Sequence, residues 1–357
     1  MPVSLSEIAR ACEVSTATVS RALSGHPYVA GALRERIRTE AKRLGYRQNP
    51  LVGSLMAHVR RARTDRFLGN LALVHVSALR SARIGPQQQV ILDSVQARVR
   101  ELGFSIEVFR LGPDAREEAV LTRVLRARGV SGVLFAYPQP SELPREFPWA
   151  EFSVLALDFA SRDPRLDTVC HDHYASITRA LAWLRAAGYR RAGLFLERFK
   201  DARTNYKWSA AFRSFQLQEG GVGRVPVLMV EAITEMDFAA WFCRHRPDVV
   251  LGHFDSAVNW MATLQRNVPG DVGFFSLNWR SRTLPCAGID PQLELQGRVA
   301  AETLISRVQH GDRGLLPSPR LISVPGLLVE GPTVRAVTGP DRPGTGANGV
   351  RRREARR

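Results

Sequence analysis

Thr16, Ala17, Ser20 and Arg21 recur at helical spacing, so one helix face would carry small or short polar side chains beside an arginine. Such a face can enter the major groove of DNA, where Arg21 can pair bidentately with a guanine edge, worth roughly 1–3 kcal/mol of discrimination. Ser4 and Ser15 each stand where a helix would begin, and hydroxyls and helix N-termini suit phosphate oxygens. A second set of residues falls where strands should end: Asp158, Asp172, Arg203, Trp208, Asp255 and Asn278. Carboxylates, an arginine and an amide can hold the hydroxyls of a polyol while an indole covers its apolar face. Several of these equally fit helix caps or strand ends, Asp172 and Asp255 above all.

The first set needs two short helices. Residues 4–23, SLSEIARACEVSTATVSRAL, form two amphipathic segments joined at Glu13-Val14-Ser15. Ser4 with Glu7 predicts a capping box. Leu5, Ile8, Ala9 and Cys12 share one face, and small Ala9 lets a second helix come close. Val14 can plug the turn, Ser15 or Thr16 can cap the second helix, and Val19, Ala22 and Leu23 face inward. That is the shape of a helix-turn-helix. The plain alternative is a helical hairpin with a solvated polar face.

A third helix is expected over 31–44, with Leu33, Ile37, Ala41 and Leu44 as its buried stripe and Gly45 as its left-handed end. Asn49 before Pro50 reads as a cap and a first-turn proline, so a fourth short helix should start there. It presents Leu51, Leu55 and Met56 with no core of its own. Apolar wedges of this kind can open a minor-groove step.

The run STATVSRAL and the later KRLGYRQNPLVGSL resemble the lactose-repressor-type (LacI/GalR) family of transcription regulators, and the similarity extends more weakly to about Val334. The resemblance implies a hinge helix after the head that folds on operator binding, with Leu55 at the position of its minor-groove leucine. It also implies a periplasmic-binding-protein-like sensor that dimerises. Some positions depart from the family pattern. Gln48 replaces a usual proline, Val52 a common alanine, and Ala30 and Leu33 usual polar residues. Trp208 stands where an effector-gripping arginine often sits, Asn278 where an aspartate is usual, and Phe254 replaces a polar residue.

Composition agrees with a polyanion partner. The chain has 357 residues and a formal charge of +16. Up to Arg66, twelve Lys and Arg face five acidic residues, a net +7 in a small volume. The four cysteines, Cys12, Cys170, Cys243 and Cys286, are scattered without metal-ligand spacing, which predicts a reduced cytoplasmic protein. No signal peptide is read at the start, and no apolar run is long enough to span a membrane.

From residue 69 onward, apolar strands alternate with helices. Strands are expected at 69–76, 104–111, 130–136, 154–157, 191–196, 227–230, 248–251 and 272–276. Helices are expected at 87–102, 116–128, 175–187, 207–219, 237–246, 257–266 and 295–310. This order predicts α/β architecture with parallel sheets covered on both faces. Two such sets predict two doubly wound subdomains, with ligand at the carboxyl ends of strands, in a cleft between lobes. The expected organisation is a helix-turn-helix head at 1–48, hinge and linker at 49–66, a two-lobed ligand-binding and dimerisation domain at 67–337, and a disordered basic tail at 338–357. That tail ends RRREARR and adds non-specific DNA affinity or does nothing.

His171-Asp172-His173 invites a metal reading, but no second ligand cluster accompanies it, and neither a metal nor a cofactor is expected. No nucleophile elbow, Walker loop or paired catalytic carboxylates occur, so the expectation is not an enzyme. The expected function is a homodimeric, sequence-specific regulator, a repressor, reading a pseudo-palindromic operator under control of a small effector, a sugar or sugar derivative. Ser4, Ser15, Thr16, Ala17, Ser20, Arg21, Asn49 and Leu55 would contact DNA. Asp158, Asp172, Arg203, Trp208, Asp255 and Asn278 would contact effector. The competing reading is a soluble sugar-binding protein or enzyme whose head serves protein contacts.

Overall fold

The computed structural model describes residues 5–23, 29–44, 68–76, 84–112, 114–136, 144, 146–157, 166–218 and 224–336. Ser4, Asn49, Leu55, Asp158, the hinge segment and the basic tail lie outside the described residues, as does Gly45.

The head folds from α1 (Leu5–Ala11), α2 (Thr16–Leu23) and α3 (Gly31–Arg43). Ile8, Ala9 and Cys12 from the first helix meet Val19 and Ala22 of the second and Ile37 and Ala41 of the third. Val14, Leu23, Leu33 and Leu44 close the edges of this small core. The turn between α1 and α2 is a Schellman motif: Val14 N–H donates to the Ala9 carbonyl at 3.0 Å and Glu13 N–H to that of Arg10 at 3.3 Å. Glu13 supplies the left-handed residue, at φ 54°. Ser15 then caps α2, its Oγ accepting from Thr18 N–H at 3.1 Å. The Arg36 guanidinium of α3 donates to the Cys12 carbonyl at 3.2 Å, tying α3 to the end of α1.

The chain divides into two units, residues 1–169 with 294–322, and 170–293 with 323–357. The first contains β1 (Asn70–Val76), α4 (Pro86–Glu101), β2 (Ser105–Leu111), α5 (Ala115–Ala127), β3 (Val130–Ala136) and β4 (Ser153–Leu157). β5 (Thr168–Asp172) follows, and the returning chain adds α11 (Leu293–His310) and β11 (Leu321–Pro325). Its sheet runs β11-β5-β4-β3-β1-β2, with the pairs β1–β2, β1–β3, β3–β4 and β4–β5 parallel. β1, β3 and β4 are buried along nearly their whole length, as sheets covered on both faces require. α11 comes so close to α4 that a Cβ on Gly297 would meet the Ile91 carbonyl at 2.6 Å.

The second unit repeats the pattern. It holds α6 (His173–Ala186), β6 (Ala192–Glu197), α7 (Arg198–Arg203), α8 (Lys207–Gln218), β7 (Leu228–Val230) and α9 (Glu235–His245). β8 (Val249–Gly252), α10 (Ala257–Thr263), β9 (Gly273–Ser276), β10 (Ala287–Asp290) and β12 (Leu327–Val329) complete it. The sheet order is β12-β10-β9-β8-β6-β7, with β12 antiparallel to β10. Ignoring that last-joined edge strand, each sheet places its second strand outside the first and then adds the third, fourth and fifth on the other side. That is a doubly wound order, with the switch point beside the first strand. Two apolar clusters cover the two faces of this sheet, one built on Leu194, Leu251 and Phe275, the other on Phe195, Val250 and Phe274. Gly103 and Gly188, both at positive φ, end α4 and α6 as their sequence positions predict.

Candidate functional site

On the head, α2 is the element that carries the expected base-reading residues. Thr16 is its first residue and is exposed, and Ser15, exposed as well, is occupied as its cap. Ala17, Ser20 and Arg21 lie on α2, and their side chains are outside what the structure describes.

In the second unit, the carboxyl-end loops gather Trp208, His171, His173 and His253. The Trp208 ring is 2% exposed. Its centre lies 4.8 Å from that of His173, 5.7 Å from His253 and 6.2 Å from His171. His171 is the penultimate residue of β5, His173 opens α6, and His253 follows β8, so two distant stretches of chain converge on one indole. Burial lowers all three imidazoles from the ordinary histidine range: His171 to about 4, His253 to about 3, and His173 well below 6.5. The neighbouring cations Lys207 and Arg203 push His173 the same way, as Lys200 and Arg203 do His253. All three are neutral at pH 7, so each ring offers one donor and one acceptor. Nδ1 of His173 and Nε2 of His253 are buried without a hydrogen-bond partner in the protein. Buried polar atoms are nearly always paired, so each of these nitrogens has hydrogen-bonding capacity left to offer.

Trp208 is held there by its own turn. Asp201, fully buried on α7, accepts from Ser209 N–H at 3.2 Å and so fixes the first turn of α8. Between the helices, Asn205 and Tyr206 both adopt left-handed backbone, at φ 56° and 58°. Consecutive non-glycine residues in that region are costly and concentrate at functional sites.

The other expected effector residues divide. Asp172 caps α6, accepting from Ala175 N–H at 2.9 Å, with Ser323 Oγ at 3.4 Å. Asp255 holds the loop before β10: its Oδ2 accepts from Thr283 N–H, from Thr283 Oγ1 at 3.0 Å and from Leu284 N–H at 3.0 Å. Asp172 is thus the helix cap that the sequence left open, whereas Asp255 caps no helix and holds the Thr283–Leu284 loop instead. Arg203 closes α7 and is near enough to His173 and His253 to lower both. Asn278 follows β9 and its carbonyl accepts from Ser281. Phe254, unusual at its position, receives the Lys200 ammonium 3.8 Å above its ring. His253 and Asp201 were not singled out in the sequence. A lone histidine after a short strand and an aspartate in RFKDAR look like ordinary loop residues. Among the described residues, no three His, Cys, Asp or Glu side chains come together to hold a metal ion.

Comparison with known proteins bears on both parts. The model for bacterial regulatory proteins of the lacI family matches residues 4–49, and that for a periplasmic binding protein-like domain matches residues 181–333. The chain thus joins a LacI-family helix-turn-helix domain to a periplasmic-binding-protein-like domain. The HTH-type transcriptional regulator PtxS of Pseudomonas plecoglossicida is 27% identical over 351 residues, covering 93% of this chain and 96% of the relative. The uncharacterized HTH-type regulator YkvZ of Bacillus subtilis strain 168 is 22% identical over 324 residues, covering 85% and 93%. The fold is shared with the lac repressor dimer bound to operator and the anti-inducer ONPF, at TM-score 0.56 and 17% identity, covering 94% of this chain and 100% of that one. It is also shared with a regulator CelR–cellobiose complex, at TM-score 0.55 and 20% identity, covering 93% and 99%. The LacI family is one of regulators and not of enzymes.

Proposed function

We propose that this LacI-family protein is a cytoplasmic, homodimeric repressor whose affinity for a pseudo-palindromic operator is set by a small carbohydrate or carbohydrate derivative. The single observation that carries the effector half is the Trp208 cluster. A buried indole face flanked by unpartnered imidazole nitrogens offers an apolar platform and hydrogen bonds at the carboxyl ends of a doubly wound sheet, where such folds bind ligands. A structural neighbour solved with cellobiose supports the ligand class. Arg203 and Asn278 would add polar contacts, and Asp158 and Asp172 complete the expected set. Asp255 contributes through the loop it holds.

For the DNA half, the capped α2 supports reading by Thr16, Ala17, Ser20 and Arg21, with Ser4, Ser15 and Asn49 at phosphates and Leu55 as the wedge. Two-fold symmetry of the protein would match two-fold symmetry of the site. Effector binding would shift the population of DNA-competent dimers by its differential affinity for two conformations.

A mobility-shift assay with promoter DNA at moderate salt tests the reading. The expected result is a sequence-specific shift, steeply weakened by salt. Arg21→Ala should relax preference at one operator position at a cost of roughly 1–3 kcal/mol; unchanged preference removes its assigned role. Leu55→Ala should reduce operator bending and affinity while leaving the melting of the sensor unchanged. Absence of any sequence-specific shift would favour a binding protein whose head meets other proteins. An operator affinity indifferent to a panel of mono- and disaccharides would remove the carbohydrate reading.

A further inference from the structure

The chain passes between the two units three times, after residues 169, 293 and 322. Any movement of one unit against the other must be taken up at these passages, since hinges are the few residues that absorb the backbone change. On the second-unit side the three passages are fastened to one another. Asp172, on the first, accepts from Ser323 Oγ, on the third, at 3.4 Å. Gln292 Nε2, on the second, donates to the Pro325 carbonyl of the third at 2.6 Å. Gln292 does so from left-handed backbone, at φ 55°.

His171 sits where these fastenings meet. It follows the first passage closely and is buried. The carbonyl of Pro291, just before the second passage, is near enough to its ring to favour the protonated form. Gly326, just after the third, packs so tightly that a Cβ there would come within 2.8 Å of His171 Cε1, 2.5 Å of Ile289 Cγ2 and 2.9 Å of Ser176 Oγ. Gly326 is also held at both backbone groups: its N–H donates to Ser176 Oγ at 3.1 Å, and its carbonyl accepts from Arg179 Nη1 at 3.2 Å. Close-packed interiors compress little and transmit displacement. The same ring belongs to the Trp208 cluster, its centre 4.7 Å from that of His173 and 6.2 Å from that of Trp208.

We propose that His171 is a positioning residue that passes displacement of the Trp208 cluster to the three passages. A molecule that shifts the indole or the His173 ring would shift the His171 ring, which has a neighbour at the second passage in Pro291 and at the third in Gly326. The first passage moves with it directly, because His171 is part of that strand. His253 belongs to the cluster without belonging to a passage, since it follows β8. The proposal rests on the Trp208 cluster being the effector site, and it states how occupation there is felt elsewhere. Coupling of this kind is shown by non-additive effects of two substitutions and not by proximity.

The test uses no effector. Hydrogen exchange is followed on the full chain at the second and third passages, residues 292–293 and 323–327, with β1 and β3 as the reference for global destabilisation. Trp208→Phe shrinks the centre of the cluster. With His171 in place, it should change exchange at both passages by at least about threefold. In a His171→Ala background, adding Trp208→Phe should change neither. His171→Phe keeps a ring against Gly326 and loses the nitrogens, so there Trp208→Phe should still reach 323–327 but not 292–293. That split decides the matter if His171→Ala fails to fold. A side chain that only fills space would shift exchange by itself and leave the two substitutions additive. Additive effects overturn the proposal, as does a Trp208→Phe protein with both passages unchanged, or any other pattern in the His171→Phe background. Operator affinity indifferent to every sugar, with the coupling intact, would instead remove the carbohydrate reading and leave this one standing.

Discussion

The two units share one strand order yet treat buried polar groups in opposite ways. In the first, Asp167 is fully buried just before β5 and Arg307 of α11 is 2% exposed beside it. Asp167 accepts from Arg307 Nη1 at 3.0 Å, and from Arg320 at its backbone N–H, Nε and Nη2 at 2.7, 3.0 and 2.6 Å. Burial pushes this carboxyl up, but the Arg320 and Arg307 guanidiniums outweigh it and hold Asp167 below the usual range. In the second unit, three imidazoles are buried around Trp208, and His173 and His253 each keep a ring nitrogen unpartnered. The contrast separates two uses of a buried polar group. Asp167 is saturated by its own chain and acts as a fastening for α11 and β11. The imidazoles stay neutral and incompletely bonded, which suits a surface that an outside molecule completes.

The largest effect should come from breaking the saturated half. Asp167→Asn leaves the buried Arg307 charge without its counter-ion, and removing one partner of a buried pair costs about 3–5 kcal/mol. Urea unfolding of the full chain would show it as a lower midpoint, and an unmoved midpoint would end the contrast. Next comes acid. Because the folded histidines titrate below their unfolded value of 6.5, the unfolded chain takes up protons first as pH falls. Their contribution is fully present above 6.5 and declines from there toward about 4, by up to about 1.4 kcal/mol per pH unit for each histidine. Melting temperatures measured across that window should fall, and His253→Gln should flatten the slope. The smallest stability change, and the sharpest test, is His173→Leu. Replacing an unpartnered buried ring with an apolar side chain should be neutral within about 1 kcal/mol or mildly stabilising, while effector response is lost. A large loss of stability would show that His173 acts as a fastening too.

Much of the fold could be read from local pattern. The continuous apolar runs of β1, β3 and β4 and the glycine ends of α4 and α6 announce themselves. In the head, Ile8, Ala9, Val19, Ala22, Ile37 and Ala41 fall inward as their spacing demands. The elements that escaped are short or mixed: β5 reads TVCHD, α7 reads RFKDAR, and β10 to β12 form only through pairing with distant strands. The candidate site was legible in outline for the same reason. Strand ends point to where ligand binds, so Trp208, Arg203 and Asn278 stood out. What spacing could not show was convergence. His171, His173 and His253 come from two distant stretches of chain and meet at the Trp208 ring, and Asp201 matters because it caps a helix eight residues on. Asp172 and Asp255 were ambiguous because a carboxylate after a strand serves a cap and a ligand equally well, and only the bonds to Ala175, Thr283 and Leu284 distinguish the two.

The turn at Asn205 and Tyr206 has a consequence for how this protein can change. Asparagine tolerates left-handed backbone, but Tyr206 there costs roughly 1–2 kcal/mol relative to ordinary backbone, and glycine would remove most of that cost. The chain therefore carries an unused reserve of stability one substitution away, next to the residue that presents Trp208. Variants that drift toward new effectors by altering the cluster, and lose stability in doing so, could recover part of it at exposed Tyr206 without touching the core.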